Sequence, residues 1–246
     1  MNHLLKALEV IPMPNPDRHK PISQCRRCGT CCCKGGPALH RQDQALVESG
    51  KIPLKCLYTI REGEPAYDNI RCGITPATTD IIKLQSSAEG DRSCLFLQQE
   101  PVGCAIYADR PAECRILQCW DTQPLIRMYD KDRLTRKDLL ERLAGLWDLV
   151  AEHQARCDYA RINQWADRLK NSQDVREARE ALLAMIRYDQ SVRQVTVERT
   201  RFDTELLPFL FGRPLVVTLA SFQLKIAMAG KRLVIQPFGT FPSEES

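Results

Sequence analysis

Two tight groups of cysteines constrain this 246-residue chain more than any other feature. Together they contain eight of its twelve cysteines. Thiolates that are separated by two residues can turn from one loop onto a single ion or cluster. The sequence therefore predicts a metal site at which both groups converge. The expected ligands are Cys25, Cys28, Cys31 and Cys32 from the first group and Cys94, Cys104, Cys114 and Cys119 from the second.

Size and composition exclude several alternatives. A chain of this length can bury a hydrophobic core without the support of disulfide bonds. Its contents of 43% hydrophobic and 27% charged residues are ordinary for a globular protein. The net charge of +4 is too small to indicate nucleic-acid binding. No segment approaches the roughly 20 apolar residues of a membrane span, and the N-terminus lacks the features of a signal peptide. We therefore expect a cytoplasmic protein that binds neither nucleic acid nor membrane and keeps its thiols reduced.

The residue pattern predicts an α+β fold in two parts. Residues 21–122 are expected to form a small cysteine-rich, metal-binding domain of short strands and loops. Within it, residues 81–84, 94–97 and 102–107 are predicted strands, and Asp109 is predicted to cap a helix that carries Cys114.

The second part, residues 131–246, is expected to be helical and to end in a small antiparallel sheet. Apolar residues recur at helical spacing between residues 139 and 186, which favours helices that pack on a core. Residues 214–219, 222–228 and 233–235 are short apolar runs and are predicted strands.

Zinc and iron–sulfur sites are both compatible with this thiol pattern. Structural zinc usually takes two pairs of ligands at two-residue spacing, and here only the first group has that spacing. The Cys25, Cys28 and Cys31 series resembles half of a bacterial ferredoxin signature, which favours an iron–sulfur cluster of the 4Fe-4S type, with Zn²⁺ as the alternative. Eight thiols are enough for two sites, or for one site and a reactive thiol.

The remaining cysteines and the histidines receive plainer interpretations. Cys56, Cys72 and Cys157 are expected to be small buried hydrophobic residues. His153 and Cys157 are four residues apart on a predicted helix and could form a ligand pair, but a solvated histidine and a core cysteine are favoured. His40 follows the first cysteine group closely enough to be a ligand candidate, but a surface histidine is favoured. The role of Cys33 stays open. No acid–base pair, nucleophilic triad or nucleotide-binding loop is visible, so the sequence leaves open whether the protein is an enzyme.

The cysteine pattern resembles the YkgJ-type cysteine-cluster family, the zinc- or iron-chelating CxxCxxCC domain. The resemblance spans residues 21–122, about 40% of the chain. Its departures are Cys33 and the pair Leu117 and Gln118 before the last cysteine. The matching strings are Cys25-x2-Cys28-Gly29-x-Cys31-Cys32, Cys94-x-Phe96-Leu97 and Cys104-x-Ile106-Tyr107-x2-Arg110-Pro111-x2-Cys114-Arg115-x3-Cys119.

This resemblance implies an iron–sulfur or zinc protein. A related enzyme, flagellin lysine N-methylase, carries a similar cysteine domain. Three functions therefore compete. The favoured one is an iron–sulfur protein in a redox or electron-transfer role, an oxidoreductase component with an unknown protein or redox partner. The alternatives are a zinc-binding structural or interaction module and a methyltransferase-like enzyme.

Overall fold

The computed structural model describes residues 23–87, 90–143, 145–172, 174–200, 203–229 and 232–238, and it has the expected α+β fold. The strands are β1 (Leu57–Ile60), β2 (Pro65–Asp68), β3 (Gly73–Pro76), β4 (Ile81–Leu84), β5 (Leu97–Gln99), β6 (Val102–Cys104), β7 (Leu224–Ala229) and β8 (Arg232–Pro237). The α-helices are α1 (Gln44–Glu48), α2 (Ala112–Ile116), α3 (Gln123–Met128), α4 (Arg136–Leu140), α5 (Leu146–Arg156), α6 (Tyr159–Asn171), α7 (Arg176–Thr200), α8 (Leu207–Phe211) and α9 (Leu215–Thr218).

The strands pair as four small antiparallel sheets, β1 with β4, β2 with β3, β5 with β6 and β7 with β8. The segment that follows the first cysteine group lies along the free edge of β4. Ala38 bridges Lys83, and the Leu39 N–H donates to the Ile82 carbonyl at 2.8 Å. The chain thus leaves the first cysteine loop directly onto a sheet edge, which fixes where that loop sits.

Three predicted boundaries in the cysteine-rich part are shifted. The predicted strand at 94–97 begins only at Leu97, because Cys94 makes an isolated bridge to Ser86. The predicted strand at 102–107 ends at Cys104, and Tyr107–Asp109 form a 3-10 turn. Pro111, not Asp109, is the residue before α2, and Lys51 lies 2.5 Å from the Asp109 carboxylate.

The helical part also differs from its prediction at one place. Residues 214–219 contain helix α9 and not a strand, because Leu215 and Leu219 are both buried four residues apart on one helical face. The predicted strands at 222–228 and 233–235 correspond to β7 and β8, which pair in antiparallel register with Ile226 opposite Ile235. The small C-terminal sheet is confirmed.

Two hydrophobic cores are present in the described residues. The first joins α6 and α7 to the C-terminal sheet, with Ile162, Leu182 and Ile235 among its buried members. The second joins the cysteine-rich part to the helices, with Cys94 and Ile82 packed in the same cluster as Val150 and Phe209. The cysteine region is therefore packed on a core to which α5 and α8 contribute.

No single described helix combines the length and the apolar character that a membrane crossing requires. Residues 204–211 and 215–222 meet that criterion only as a pair, and the pair is bent by 57°.

Candidate metal centre

The first cysteine group lies in a short loop that ends in a 3-10 turn at Cys32–Lys34. The Cys33 N–H donates to the Gly29 carbonyl at 3.1 Å, and the Lys34 N–H donates to the Cys31 carbonyl at 3.1 Å. Most thiols of this loop are exposed, but Cys32 is half-buried and packs against the second core. The loop therefore presents thiols to solvent on one side and a single thiol to the interior on the other.

The second cysteine group is assembled from three different elements. Cys94 is buried beside the first group, and its N–H donates to the Cys32 carbonyl at 2.8 Å. Cys104 ends β6 and lies opposite Leu97 of β5. Cys114 is half-buried on α2. The β5–β6 hairpin and helix α2 thus bring together cysteines that are widely separated in sequence.

Five of the eight predicted ligands are close enough to influence one another's ionisation. Burial raises the pKa of Cys32 to about 12, and the charges of Cys31, Cys94 and Cys104 add to this. Burial likewise raises the pKa of Cys94 and of Cys114, again with a contribution from neighbouring thiols. Ionising these thiols together is therefore costly unless a cation offsets their charge.

Two further predicted ligands, Cys25 and Cys28, are in the same loop and are exposed. Hydrogen bonds from the Thr30 hydroxyl, at 3.3 Å, and from its backbone lower the pKa of Cys28. The Cys25 sulfur accepts a hydrogen bond from the Arg27 N–H at 3.4 Å. The contacts of Cys28 favour the thiolate, the form that binds metals.

The loop is joined to the second group by two contacts outside the cysteines. The Arg27 guanidinium carbon lies 3.9 Å from the Tyr107 ring centroid. Gly29 has φ +74°, and a Cβ there would lie 3.1 Å from both Leu97 and Val102, so the turn is in close contact with the β5–β6 hairpin. Cys119 is exposed and lies beyond the end of α2.

A buried polar cluster holds α2 in place next to Cys114. The Glu113 carboxylate accepts hydrogen bonds from the Ala38 N–H at 2.8 Å and from Arg133 Nη1 at 2.9 Å, and its Oε1 lies 3.2 Å from His40 Nε2. Burial alone would raise the pKa of Glu113, but the His40 hydrogen bond and the Arg133 charge hold it below its ordinary value. We call His40, Glu113 and Arg133 the Glu113 cluster.

Two more charged side chains, Asp43 and Lys83, lie next to α2 and the buried thiols. The Asp43 carboxylate accepts the Ala112 N–H at 2.8 Å, at the start of α2, and lies 3.5 Å from Arg115. Burial lowers the pKa of Lys83, whose ammonium group is close enough to Glu113, Cys114 and Cys94 for their charges to act in the opposite direction. The amino group of Lys83 therefore lies near these thiols and Glu113.

Two expectations about single residues were wrong. His40 is buried, with 1% exposure, because its Nδ1 donates to the Lys131 carbonyl at 2.7 Å while its Nε2 faces Glu113. Both ring nitrogens are occupied, so neither is free for a metal. Cys72 is exposed and has φ 52°, because it lies in the turn between β2 and β3. Cys56 and Cys157 are buried, as predicted.

The expectation of a solvated His153 was also wrong, because it is fully buried on α5. His153, Cys157 and Asp189 are the one described trio of metal-type ligands whose ligand atoms all lie within 4.8 Å of one another. Asp189 is already bound by His153 at 2.8 Å and by Arg193 Nε at 3.0 Å. Burial lowers the pKa of His153 to about 4, and the positive charges of Arg61 and Arg193 act in the same direction. Two guanidinium groups next to the trio disfavour a cation there, so we assign it a structural role between α5 and α7.

Residues 24–139 match the family model CxxCxxCC, whose description is "Putative zinc- or iron-chelating domain". No curated protein and no solved structure matches this chain. The matched segment contains all eight predicted ligands and extends past the Glu113 cluster into α4. The polar residues that hold α2 carry no signal in the spacing of the cysteines, which is why sequence reasoning missed them.

Proposed function

From the premise that residues 24–139 belong to the zinc- or iron-chelating CxxCxxCC family, we propose that this metal-binding protein carries an iron–sulfur cluster in an electron-transfer role. The observation that supports it best is the group of five neighbouring thiols, Cys31, Cys32, Cys94, Cys104 and Cys114, which are close enough for their charges to add to the raised pKa of Cys32 and of Cys114. A protein that keeps such a group needs a cation to neutralise it.

The residues around the cysteines suit a metal group that is bound by thiolates. Hydrogen bonds from Thr30 favour the thiolate form of Cys28, and Arg26 and Arg115 supply positive charge nearby. Guanidinium and ammonium groups offset the negative charge that several thiolates bring to a metal. The exposure of the thiols also decreases stepwise from exposed Cys25 to buried Cys94, which suits a metal group that extends from the surface towards the core.

The spacing of the thiols favours a cluster over a single zinc ion. A structural zinc usually takes two pairs of ligands at two-residue spacing, and only the first cysteine group has that spacing. The Cys25, Cys28 and Cys31 series resembles half of a bacterial ferredoxin signature. A cluster spreads its thiolates over several irons and therefore accepts a wider set of sulfurs.

The ligands would come from the eight predicted cysteines, which are enough for two four-thiolate sites or for one site and a reactive thiol. Cys31, Cys32, Cys94, Cys104 and Cys114 are neighbours, and Cys25, Cys28 and Cys119 are exposed. When bound, an iron–sulfur cluster accepts and returns single electrons. The protein's own contribution is to hold the thiolates, to offset their charge and to leave one side open to solvent. We also propose a cytoplasmic location, because all twelve cysteines are free thiols.

The shape of the surface favours electron transfer over the methyltransferase alternative. A methyl donor requires a pocket beside the cysteines. Two open hollows in the described part of the chain, of about 610 and 280 Å³, are lined by residues such as Lys170, Gln223 and Phe222, and neither is lined by a cysteine.

Anaerobic purification followed by iron, zinc and sulfide analysis tests the proposal. We expect a brown protein with about four iron and four sulfide per cluster, and a reversible reduction wave. Cys114→Ser should lose most of the iron, whereas the control Cys72→Ser, at an exposed turn, should keep it. A colourless protein that contains one or two zinc ions and no sulfide under the same conditions would contradict the iron–sulfur assignment.

A further inference from the structure

Two arginines are stacked on one tyrosine beside the exposed thiols. The guanidinium carbon of Arg27 lies 3.9 Å from the ring centroid of Tyr107, and that of Arg110 lies 3.7 Å from the same centroid. The two positive groups are therefore within about 8 Å of each other. Arg27 belongs to the loop that carries Cys25 and Cys28, and Arg110 belongs to the segment that leads into α2.

Neither guanidinium has a carboxylate partner among the described side chains. The Arg110 Nε donates to the Tyr107 carbonyl at 3.0 Å, which orients the side chain but does not neutralise it. Like charges at this distance repel one another unless an anion lies nearby. The cation–π contacts hold the pair in place, so the positive charge is presented in a fixed arrangement.

Apart from its cysteines, the loop that carries Arg27 is basic. Between Cys25 and Lys34 the chain has three basic residues and no acidic residue. Of the acidic residues between Cys94 and Cys119, Asp109 pairs with Lys51 and Glu113 pairs with Arg133, and Glu100 has no ion pair among the described residues. None of these three carboxylates pairs with Arg27 or Arg110 in the part of the chain that the structure describes.

The same surface is open and partly apolar. Cys25, Cys28, Cys31 and Cys33 are exposed, and Val102, which adjoins Gly29, is 52% exposed. Surfaces that combine arginine with exposed apolar groups are typical of protein interfaces. We call the surface formed by these exposed cysteines, Arg26, Arg27, Tyr107 and Arg110 the thiol face.

We propose that the thiol face is the docking surface for an acidic electron-carrier protein whose carboxylates pair with Arg27 and Arg110. This inference rests on the proposed electron-transfer function and names the kind of partner. Charge complementarity of this sort steers encounter and fixes the orientation of the two proteins. A partner bound here lies directly against the exposed thiols, where transfer to or from a bound cluster has the shortest path.

Binding measurements test the docking surface separately from the redox role. The full chain, as purified anaerobically, is titrated by calorimetry with an acidic flavodoxin and with the basic carrier cytochrome c, at low and at high salt. Flavodoxin should bind, more weakly as salt rises, and cytochrome c should not. Equal binding of both carriers, or flavodoxin binding that is insensitive to salt, would overturn the proposal.

Charge-reversal variants locate the surface. Arg27→Glu combined with Arg110→Glu should weaken flavodoxin binding at least tenfold, and Arg26→Glu, which leaves the stack intact, should weaken it about threefold. The matched control is Arg161→Glu, at an exposed arginine on α6 that is more than 40 residues away in sequence from every residue of the thiol face. Unchanged binding by both thiol-face variants, or an equal loss in the control, would refute the docking surface.

Iron and sulfide content and the reduction potential are measured on the same samples. The iron and sulfide content and the reduction potential test the proposed electron-transfer function, and the binding affinities test the docking surface. Either proposal can therefore fail while the other stands. If the double variant loses its metal, the Arg26→Glu variant alone decides the docking question, and full affinity in that variant overturns it.

Discussion

Cys32 and Cys33 are neighbours in the chain, yet their side chains have different surroundings. Cys32 is half-buried against the second core, where burial and the charges of Cys31 and Cys94 raise its pKa. Cys33 is exposed. Adjacent residues in a tight turn point in different directions, so only one of the pair can face the interior.

This difference gives a prediction with an internal control. Cys32→Ser should reduce metal content at least tenfold, because a ligand that faces the other thiols is lost. Cys33→Ser should leave metal content and the visible spectrum within about 20% of the parent protein, because nothing in its surroundings indicates a ligand. Metal analysis of the three proteins, purified side by side, provides the measurement. Equal losses in both variants would show that the two thiols are not distinguished.

The sequence could predict which cysteines group together but not what surrounds them. Spacing alone indicated the loop from Cys25 to Cys32, because the ligands of such a loop are close in the chain. The burial of His40 depends on Glu113, which is 73 residues away, and the burial of His153 depends on Asp189 on another helix. Such partners meet only through tertiary packing, so neither histidine could be assigned from its neighbours.

At the scale of elements, the turn at Gly29 connects the first cysteine group with the β5–β6 hairpin. Gly29 and Gly50 share the same backbone angle, φ +74°, but differ in what a side chain would meet. A Cβ at Gly29 would lie 3.1 Å from Leu97 and from Val102, whereas a Cβ at Gly50 would meet nothing within 4 Å. Conformational strain and crowding can therefore be measured separately.

We expect Gly50→Ala to lower the free energy of unfolding by about 1–2 kcal/mol, the cost of a left-handed alanine, with unchanged metal content. Gly29→Ala should cost more and should also lower metal content, because the hairpin must move away from the cysteine turn. Thermal unfolding and metal analysis of both variants give the comparison. Identical behaviour of the two would mean that the contact with the hairpin does not position the turn.

The Glu113 cluster makes a second prediction at this scale. Glu113→Gln keeps the shape of the side chain but removes the negative charge between His40 and Arg133, which leaves a buried guanidinium without its carboxylate. We expect a loss of about 2–4 kcal/mol in the free energy of unfolding and weaker metal retention through Cys114.

The matched control for this change is Glu141→Gln, at an exposed carboxylate 3.6 Å from Lys137. Surface pairs of this kind contribute about 0–1 kcal/mol, so this variant should unfold almost like the parent protein. Chemical denaturation measures both. A Glu113→Gln protein that unfolds like Glu141→Gln would show that the cluster does not hold α2.

The type of element could be predicted for α6, where a periodic apolar pattern extends over many residues. The prediction was wrong for residues 214–219, where the apolar run is short. The apolar stripe that starts near residue 159 matches α6 and packs Ile162 and Leu169 into the first core. The run at 214–219 has only six residues, too few to separate a period of 2 from one of 3.6, and packing against Leu182 and its neighbours made it helical.

At the scale of the whole molecule, the helices support the cysteine region directly. The second core places Leu39 and Cys94 in one cluster with Leu140, Val150 and Phe211. A change in the helices is therefore expected to reach the metal centre through packing. The sequence could not reveal this contact, because composition changes sharply near residue 130 while the core continues across it.

The buried His153–Asp189 pair gives the last prediction, on acid stability. Burial lowers the pKa of His153 to about 4, below its ordinary value of 6.5. Between these two values the unfolded chain binds a proton that the folded protein excludes, so this contribution to stability is full above pH 6.5 and is lost as the pH falls towards 4. One such group changes the free energy of unfolding by at most about 1.4 kcal/mol per pH unit.

The variant His153→Gln lacks this titrating group. Between pH 6.5 and pH 4 its free energy of unfolding should therefore fall less steeply with decreasing pH, by up to that slope, whatever the effect of the substitution at neutral pH. Thermal or chemical unfolding of both proteins from pH 7 to pH 4 measures the difference, and acid release of the metal cancels in the comparison. Parallel profiles would show that His153 is not excluded from protonation in the folded protein.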